Sequence, residues 1–262
     1  MRNARALEQS HRYRVRTVSP TAPLQWLARG WRDLWRCPLN GLLHGAALAL
    51  FGGLLFGAAR HQFWLLAGAF SGFLLVAPIL ATGLYAVSRA LERREAVGLR
   101  TALASWRPGD GRLVAFGLLL ALAGTGWVLT SAALITAFAD APVNDPRDFL
   151  RVVVLADRSL LFEAWLGLGA VLAAPVFASS VVAIPMLLDR PVGVLAAVLT
   201  SWRVVLAQPL VMAVWAALIM LLTALGMATA LLGLVVVVPW LGHASWHAYR
   251  DLVEAEPAPA GR

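Results

Sequence analysis

Two histidines near the end of the chain have the spacing of a metal site. His243 and His247 lie four residues apart in the segment HASWH, and this spacing places both imidazoles on one face of a helix, as zinc sites require. The segment lacks the glutamate that would make it a metalloprotease motif. His44 is predicted to share their side of the membrane, so these three histidines predict a site for zinc, copper or haem iron.

The alternative role of these histidines is structural. A pair at helical spacing, with no acidic ligand identifiable nearby, is an incomplete metal site. His243 also follows Pro239 by four residues, where its ring can bond the backbone carbonyl that the proline leaves without a donor. The structural interpretation is favoured, and we expect no bound cofactor.

The sequence offers little to other kinds of catalysis. All 22 basic residues are arginine, so no lysine is present for a Schiff base or a phosphate-binding loop. Cys37 is the only cysteine, which excludes an internal disulfide and a cysteine metal cage. Glu163 is predicted in the first turn of a helix, where the helix dipole stabilises its charge. No second acid occurs in a predicted span, and we expect no enzymatic activity.

Membrane helices must position these residues. The chain is 60% hydrophobic and 14% charged, whereas soluble domains are about 45–50% apolar and about 25% charged. Its apolar runs exceed the roughly 20 residues that cross a bilayer. We predict an all-α fold, a polytopic membrane bundle of about six transmembrane helices over 24–250. The predicted spans are 39–59, 63–87, 113–139, 160–188, 207–226 and 229–248.

The arginines orient this bundle, because short arginine-rich loops stay on the cytoplasmic side. With six spans, 18 arginines fall on the side of the two chain ends and four fall on the other side. We therefore predict an inner-membrane protein with cytoplasmic tails over 1–23 and 251–262, and His11 to Val18 extended or disordered. Topology explains the net charge of +8, so no nucleic-acid partner is expected.

An amphipathic segment precedes the first predicted span. Its apolar face comprises Leu24, Leu27, Ala28, Trp31, Leu34 and Trp35, and its polar face comprises Arg29, Arg32, Asp33 and Arg36. Tryptophan at the boundary and arginine beside anionic lipid are typical of a helix in the headgroup layer. Trp31 and the three arginines are thus predicted lipid contacts. The alternative is a helix that packs on a cytoplasmic partner, since the same amphipathicity serves both.

Three sequence signals recur in the same order and predict three tandem helical-hairpin repeats. A tryptophan–arginine pair precedes the rising span, a proline lies inside the returning span, and an arginine follows it. The pairs begin at Trp31, Trp106 and Trp202, the prolines are Pro78, Pro175 and Pro239, and the exit arginines are Arg89, Arg190 and Arg250. The alternative is that membrane proteins in general use boundary tryptophans and prolines.

Small residues recur at every fourth position of the first predicted span. They are Gly41, Gly45, Ala49, Gly53 and Gly57. A neighbouring backbone can approach such a face closely. Gly68 and Gly72 in the second span are candidates for the complementary surface.

The segments GWRDLWRCP, FSGFLLVAPILATGLYAVSRALE and PWLGHASWHAYRDL resemble bacterial integral membrane proteins grouped as the domain of unknown function 2189 family. The resemblance covers nearly the whole chain apart from its two tails. It implies a helical inner-membrane protein and carries no activity or ligand. Some relatives are labelled cytochrome oxidase subunit one, but this chain lacks the six helix-borne haem and copper ligands, so that label does not apply.

These observations favour a non-enzymatic scaffold, accessory or assembly component of the inner membrane. Its expected partners are the lipid bilayer and other inner-membrane proteins or a second copy. A small transporter or pore between the repeats is an alternative, because three proline-bent helices can open a pathway. The other alternative is a haem-binding or metal-binding membrane protein that uses His243 and His247.

Overall fold

The computed structural model describes residues 2–59, 63–69, 81–104, 111–156 and 160–255. Within these ranges the chain is helical apart from two short strands, turns and loops. The chain divides into two compact units. The first comprises Met1–Ala49, Pro78–Val114 and Phe177–Arg262, and the second comprises Leu50–Ala77 and Ala115–Val176.

The helices differ widely in length. In chain order they are α1 Arg2–His11, α2 Ala22–Arg36, α3 Pro38–Ala59, α4 Thr82–Glu92, α5 Leu99–Ala104, α6 Gly111–Phe138, α7 Pro146–Phe149, α8 Leu161–Ser180, α9 Ala183–Asp189, α10 Val194–Ala207, α11 Pro209–Ala228 and α12 Leu234–Leu252. A π-helical turn, Leu150–Val154, follows α7. The strands are β1 Tyr13–Val15 and β2 Val253–Ala255, and residues 63–69 are also helical.

Four helical stretches among the described residues are long and apolar enough to cross a membrane. They are Pro38–Ala58, Gly111–Phe138, Leu161–Asp189 and Pro209–Ala228. Less than half of each most apolar window is buried, so most of its apolar surface faces outward, as lipid contact requires. The prediction of an all-α membrane bundle is confirmed at this level.

The remaining two predicted spans have different outcomes. Helix α12 overlaps the predicted span 229–248 but is not among the four stretches that are long and apolar enough to cross a membrane. The predicted span 63–87 includes residues outside the described ranges, and so do Gly72, Pro78 and Trp106 from the sequence patterns.

The turn between α11 and α12 lies later than predicted. The sequence placed it between spans 207–226 and 229–248, but α11 continues to Ala228 and the turn occupies 229–233. The Thr229 hydroxyl donates to the Gly226 carbonyl at 2.8 Å and accepts from the Gly233 amide at 2.7 Å. This local bonding, with Ala230 and Leu231 at positive φ, sets the turn and is invisible to hydropathy.

The predicted span 160–188 is one apolar run but two helices. Helix α8 contains Pro175 and ends at Ser180, and α9 begins at Ala183. The Val182 amide donates to the Ser201 hydroxyl of α10 at 3.1 Å. A side chain from a neighbouring helix therefore satisfies a backbone donor where the helix is interrupted.

The segment predicted as a cytoplasmic tail, 1–23, is folded from residue 2 onward and packs within the first unit. Helix α1 packs against α10, and its residues Arg, Ala, Leu, Glu and Gln favour helix. Strand β1 pairs antiparallel with β2, with Arg14 opposite Glu254. The extended conformation expected from His11 to Val18 is thus confirmed over the strand, whereas disorder is not found there. The two ends of the described chain consequently lie side by side.

The first unit is organised around the ends of three helices. Helices α4, α9 and α12 pack against one another. Each also contacts an outer helix, as α2 packs on α12, α5 packs on α4, and α10 packs on α9, and α11 packs on α12 as well. This arrangement brings residues from distant parts of the chain together beside α12.

The second unit has its own apolar cluster, in which Ile135, Val143, Val153 and Leu161 are buried. The Trp165 indole packs beside this cluster and donates to the Ser131 hydroxyl at 2.6 Å. Glu163 lies in the first turn of α8, as predicted, and is exposed.

Candidate functional site

The contact between α2 and α12 is close enough for their backbones to touch. A Cβ atom added to Gly30 would lie 2.5 Å from the Ala244 amide nitrogen. Trp26 and Leu34 lie on the same face of α2 and are fully buried. Helix α2 therefore packs along one face on other helices of the same chain. On the sequence alone, such packing was considered only against a separate cytoplasmic partner.

Asp33 lies within this buried face. Its side chain is buried, and its Oδ2 accepts hydrogen bonds from the Ser88 hydroxyl at 2.8 Å and pairs with His247 Nε2 at 2.8 Å. The Ser88 hydroxyl also lies 2.8 Å from His243 Nδ1. Helices α2, α4 and α12 thus contribute to one hydrogen-bonded chain that runs His247–Asp33–Ser88–His243.

The order of donors in this chain fixes the tautomer of His243. The single proton of the Ser88 hydroxyl points to the Asp33 carboxylate, so the hydroxyl accepts from His243 Nδ1. The lone pair of His243 is then on Nε2. That atom is buried and has no hydrogen-bond partner among the described residues.

The surroundings of Asp33 favour its charged form. Burial raises the pKa of this carboxyl, but the hydrogen bond and charge of His247 and the hydrogen bond of Ser88 outweigh it, and the pKa lies below the ordinary value of 3.8. Asp33 is therefore ionised at neutral pH. A buried carboxylate of this kind stabilises the fold only while its donors remain in place.

A cavity of about 370 Å³ opens beside His247, between α2, α4 and α12. Its wall includes Arg29, which bonds both carboxylate oxygens of Asp251. The Trp26 indole donates to the same carboxylate at 2.8 Å. We call this space the α2 cavity; it is the polar entrance to the hydrogen-bonded chain.

The predicted metal ligands are brought to one region but are differently engaged. His243 bonds Ser88, His247 bonds Asp33, and His44 lies on α3 three residues after Gly41, where an added Cβ would come 3.8 Å from His243 Nε2. Within the described ranges, no group of three or more His, Cys, Asp or Glu side chains is arranged to hold a metal ion. The metal site stays a prediction. The proposed bond from His243 to the carbonyl freed by Pro239 is wrong, because Nδ1 bonds Ser88.

The predicted lipid contacts divide between two environments. Arg29 turns inward to Asp251, whereas Arg32 and Arg36 are exposed. Trp31 is partly exposed and packs edge-on against Trp240 at 5.0 Å. The outward side of α2 therefore carries an apolar stripe beside an arginine stripe. The apolar stripe comprises Leu24, Ala28, Trp31 and Trp35, and the exposed arginines beside it are Arg32 and Arg36, of which Arg36 also lines the α2 cavity.

The three exit arginines each reach a neighbouring helix of the first unit. Arg89 of α4 donates to the Leu188 carbonyl of α9 at 3.0 Å. Arg190, which follows α9, donates to the Tyr249 hydroxyl of α12 at 3.3 Å.

The third exit arginine completes this set of contacts. Arg250 of α12 donates from Nε to the Glu92 carboxylate of α4 at 3.1 Å. The Trp246 indole donates to the same carboxylate at 3.2 Å. These groups line a second cavity of about 400 Å³ at the ends of the three helices.

Comparison with known proteins supports the membrane assignment. Residues 65–189 match the family model described as predicted integral membrane protein (DUF2189). The chain is an integral membrane protein. The resemblance inferred from its motifs is thereby confirmed, over this segment rather than nearly the whole chain. Neither the curated proteins nor the solved structures include a match to the sequence.

Two residues of this integral membrane protein were not singled out from its sequence. Ser88 lies inside the segment that matches DUF2189, and Asp33 lies before it. Asp33 was placed on the polar face of α2, but the structure buries it. A usable signal existed, because Asp33 follows Trp26 by seven residues and Gly30 by three, the spacing of one helix face. Ser88 offered no comparable signal.

Proposed function

We propose that this chain is a non-catalytic scaffold, accessory or assembly module of the bacterial inner membrane. In this proposal six spans form three tandem repeats, with both ends in the cytoplasm. The observation that carries it is the outward side of α2, which presents Leu24, Trp31 and Trp35 beside exposed arginines. Such a surface suits lipid headgroups and a membrane partner.

Equal backbone geometry at two helix junctions supports the repeats. Cys37 joins α2 to α3 with φ −136° and ψ 59°, and Gln208 joins α10 to α11 with φ −142° and ψ 58°. Each precedes the proline that opens the following helix, Pro38 or Pro209. Proline keeps the residue before it out of the helical region, so each amphipathic helix turns into its membrane helix in the same way.

The contacts between repeats follow one cyclic rule. If the repeats begin at α2, α5 and α10, each of these helices packs on the returning helix of the preceding repeat, namely α12, α4 and α9. The exit arginines run in the opposite sense, from α4 to α9, from α9 to α12, and from α12 to α4. A closed cycle of this kind is what three equivalent hairpins would produce.

The pairing of β1 with β2 supports an even number of spans. These strands lie near the two ends of the chain, and a chain whose ends meet on one side must cross the membrane an even number of times. The excess of arginine on that side favours the cytoplasm. Together these features favour six spans.

The geometry of the buried hydrogen-bonded chain His247–Asp33–Ser88–His243 favours a structural role over catalysis. In a serine hydrolase the histidine stands between the serine and the acid, whereas here Ser88 stands between Asp33 and His243. Ser88 and His243 are also fully buried, which keeps substrate away from both. We therefore propose that this chain of hydrogen bonds holds α2, α4 and α12 in register.

Crosslinking in cells tests the scaffold proposal. A photoreactive residue at position 35, on the outward side of α2, should give an adduct with one defined membrane protein or a second copy. The control is position 210, because Leu210 is 74% exposed and lies on an apolar membrane helix. Adducts of the same pattern at both positions would contradict the proposal. Metal or haem in stoichiometric amount in the purified protein, lost on His243→Ala, would favour the ligand alternative.

Reporter fusions test the proposed topology. Fusions after Val97, Gly193 and Ala255 should report the cytoplasm, because the arginine-rich side is retained there. A fusion near Asn144 should report the opposite side and serves as the matched control. An external signal at Gly193 would exclude three parallel repeats.

A further inference from the structure

The charges that line the α2 cavity do not balance. Four arginines, three carboxylates and His247 face this space. Arg29 is paired with Asp251, Arg250 with Glu92 at 3.0 Å, and His247 with Asp33 at 2.8 Å. Each carboxylate therefore already has a cationic or histidine partner.

The other two arginines have no such partner. Arg16 and Arg36 line the α2 cavity, and neither forms a side-chain ion pair with any residue that the structure describes. The backbone of Arg16 is held in place, since its amide donates to the Leu252 carbonyl at 2.9 Å and its carbonyl accepts from Gln208 at 2.8 Å. Arg36 lies in the last turn of α2. Two exposed arginines without an ion-pair partner among the described residues thus border one cavity, whose lining has one more arginine than carboxylate.

We propose that the α2 cavity binds a phosphate group through Arg16 and Arg36. The planar guanidinium fork matches phosphate oxygens and can donate two parallel hydrogen bonds to them. The volume of about 370 Å³ lies in the range of small-molecule sites, so it admits a phosphate with the group that bears it. The bearer is either an anionic lipid headgroup or a soluble phosphate ester.

The position of the cavity is suited to the lipid source. Helix α2 ends at Arg36, and α3 begins at Pro38 as the first apolar helix, so Arg36 lies where the chain enters hydrocarbon. Phosphate groups of the inner leaflet occupy that level. This step rests on the proposed function, whereas recognition of phosphate by the two arginines does not depend on it.

The second cavity, at the ends of α4, α9 and α12, is a weaker candidate. Each of its four arginines has a partner among the described residues: Arg89 bonds the Leu188 carbonyl, Arg93 and Arg190 lie 3.8 and 3.0 Å from the Asp189 carboxylate, and Arg250 pairs with Glu92. The C-terminal ends of three helices also converge there, and their partial negative charges offset arginine. The α2 cavity is the stronger candidate because two of its arginines, Arg16 and Arg36, have no partner of this kind among the described residues.

Thermal unfolding of the purified chain in a mild nonionic detergent tests the proposal. One arm adds inorganic phosphate against chloride of equal ionic strength. The other adds phosphatidylglycerol against phosphatidylcholine in the same micelles. We expect the wild-type midpoint to rise with a phosphate-bearing anion, because a ligand that binds only the folded state stabilises it. A rise with both probes indicates recognition of phosphate itself, and a rise with phosphatidylglycerol alone indicates a lipid headgroup.

The variants decide whether the two arginines are responsible. Arg16→Gln and Arg36→Gln should each raise the half-saturating ligand concentration about tenfold, since each removes one charge-assisted contact. Arg32→Gln is the matched control, because Arg32 is exposed on the same helix but does not line the cavity. If a glutamine variant is less stable than the wild type without ligand, the lysine variant at the same position, Arg16→Lys or Arg36→Lys, is used instead. It keeps the positive charge but removes the guanidinium fork.

Two results would overturn the inference. One is a wild-type protein that neither probe stabilises, and the other is a ligand response of the Arg16 and Arg36 variants equal to that of Arg32→Gln. Neither result depends on membrane orientation or on a protein partner. Reporter fusions and crosslinking can therefore fail while the phosphate response persists, and the reverse also holds.

Discussion

Replacing Asp33 with alanine should lower the midpoint of thermal unfolding in detergent by about 6–12 °C. The substitution leaves the Ser88 hydroxyl and His247 Nε2 without their shared acceptor in a buried contact. Breaking one side of a buried pair costs about 3 kcal/mol, and each kcal/mol shifts the midpoint of a domain of this size by about 2–4 °C. Because the hydrogen-bonded chain of Asp33, Ser88 and the two histidines joins α2, α4 and α12, the loss of stability should extend beyond one helix.

Two variants separate this effect from a general loss of negative charge. Glu95→Gln removes an acid whose side chain is 57% exposed and 4.0 Å from Arg93, and it should change stability by less than about 0.5 kcal/mol. Asp33→Asn retains the shape of the side chain and one acceptor, so its unfolding midpoint should lie between those of Asp33→Ala and Glu95→Gln. An Asp33→Ala midpoint equal to that of Glu95→Gln would show that the buried chain does not stabilise the fold.

The amphipathic pattern predicted α2 but not what covers it. A repeat of about 3.6 residues shows that two faces differ, and residues 24–36 are indeed helical. The pattern cannot distinguish lipid from protein, because both accept leucine and tryptophan. The structure uses both sides: Leu27 and Leu34 face α12 and its neighbours, whereas Leu24 and Trp35 remain exposed. Gly30, the point of closest approach, is unremarkable in a hydropathy profile.

The spacing of the two histidines predicted where they lie but not which side chains they bond. His243 and His247 do lie on one helix, α12. What determines their roles is Asp33, which is separated from His247 by 214 positions along the chain. A contact of that sequence separation is fixed by packing of α2 on α12, and no local motif encodes it. The same reason explains why Ser88 was missed.

Hydropathy was reliable for uninterrupted helices and poor at their breaks. The predicted spans 39–59 and 113–139 match α3 and α6 within two residues at each end. By contrast, the break after Ser180 and the turn at 229–233 each include a hydrogen bond to or from a single hydroxyl group, that of Ser201 or of Thr229. Serine and threonine are common inside membrane helices, so their presence alone does not predict an interruption.

Replacing Gly45 with alanine should lower the thermal midpoint by about 4–8 °C, although alanine is the better helix former. Gly45 and Gly53 were predicted to share one small-residue face of α3. A Cβ on Gly45 would overlap the backbone carbonyl of Val235 in α12, whereas a Cβ on Gly53 would meet nothing within 4 Å. Overpacking against rigid backbone costs about 1–3 kcal/mol, and the middle of this range, about 2 kcal/mol, lowers the midpoint by about 4–8 °C at about 2–4 °C for each kcal/mol.

Gly53→Ala is the matched control on the same helix, and it should change the midpoint in the opposite direction or not at all. Alanine favours helix over glycine by about 1 kcal/mol, and at position 53 no contact opposes that gain. The sign of the difference is therefore the measurement. If both variants are stabilised equally, α12 does not approach α3 at Gly45. If both are destabilised, the whole small-residue face is packed in the membrane and Gly53 meets a neighbour there, such as a second copy of the chain.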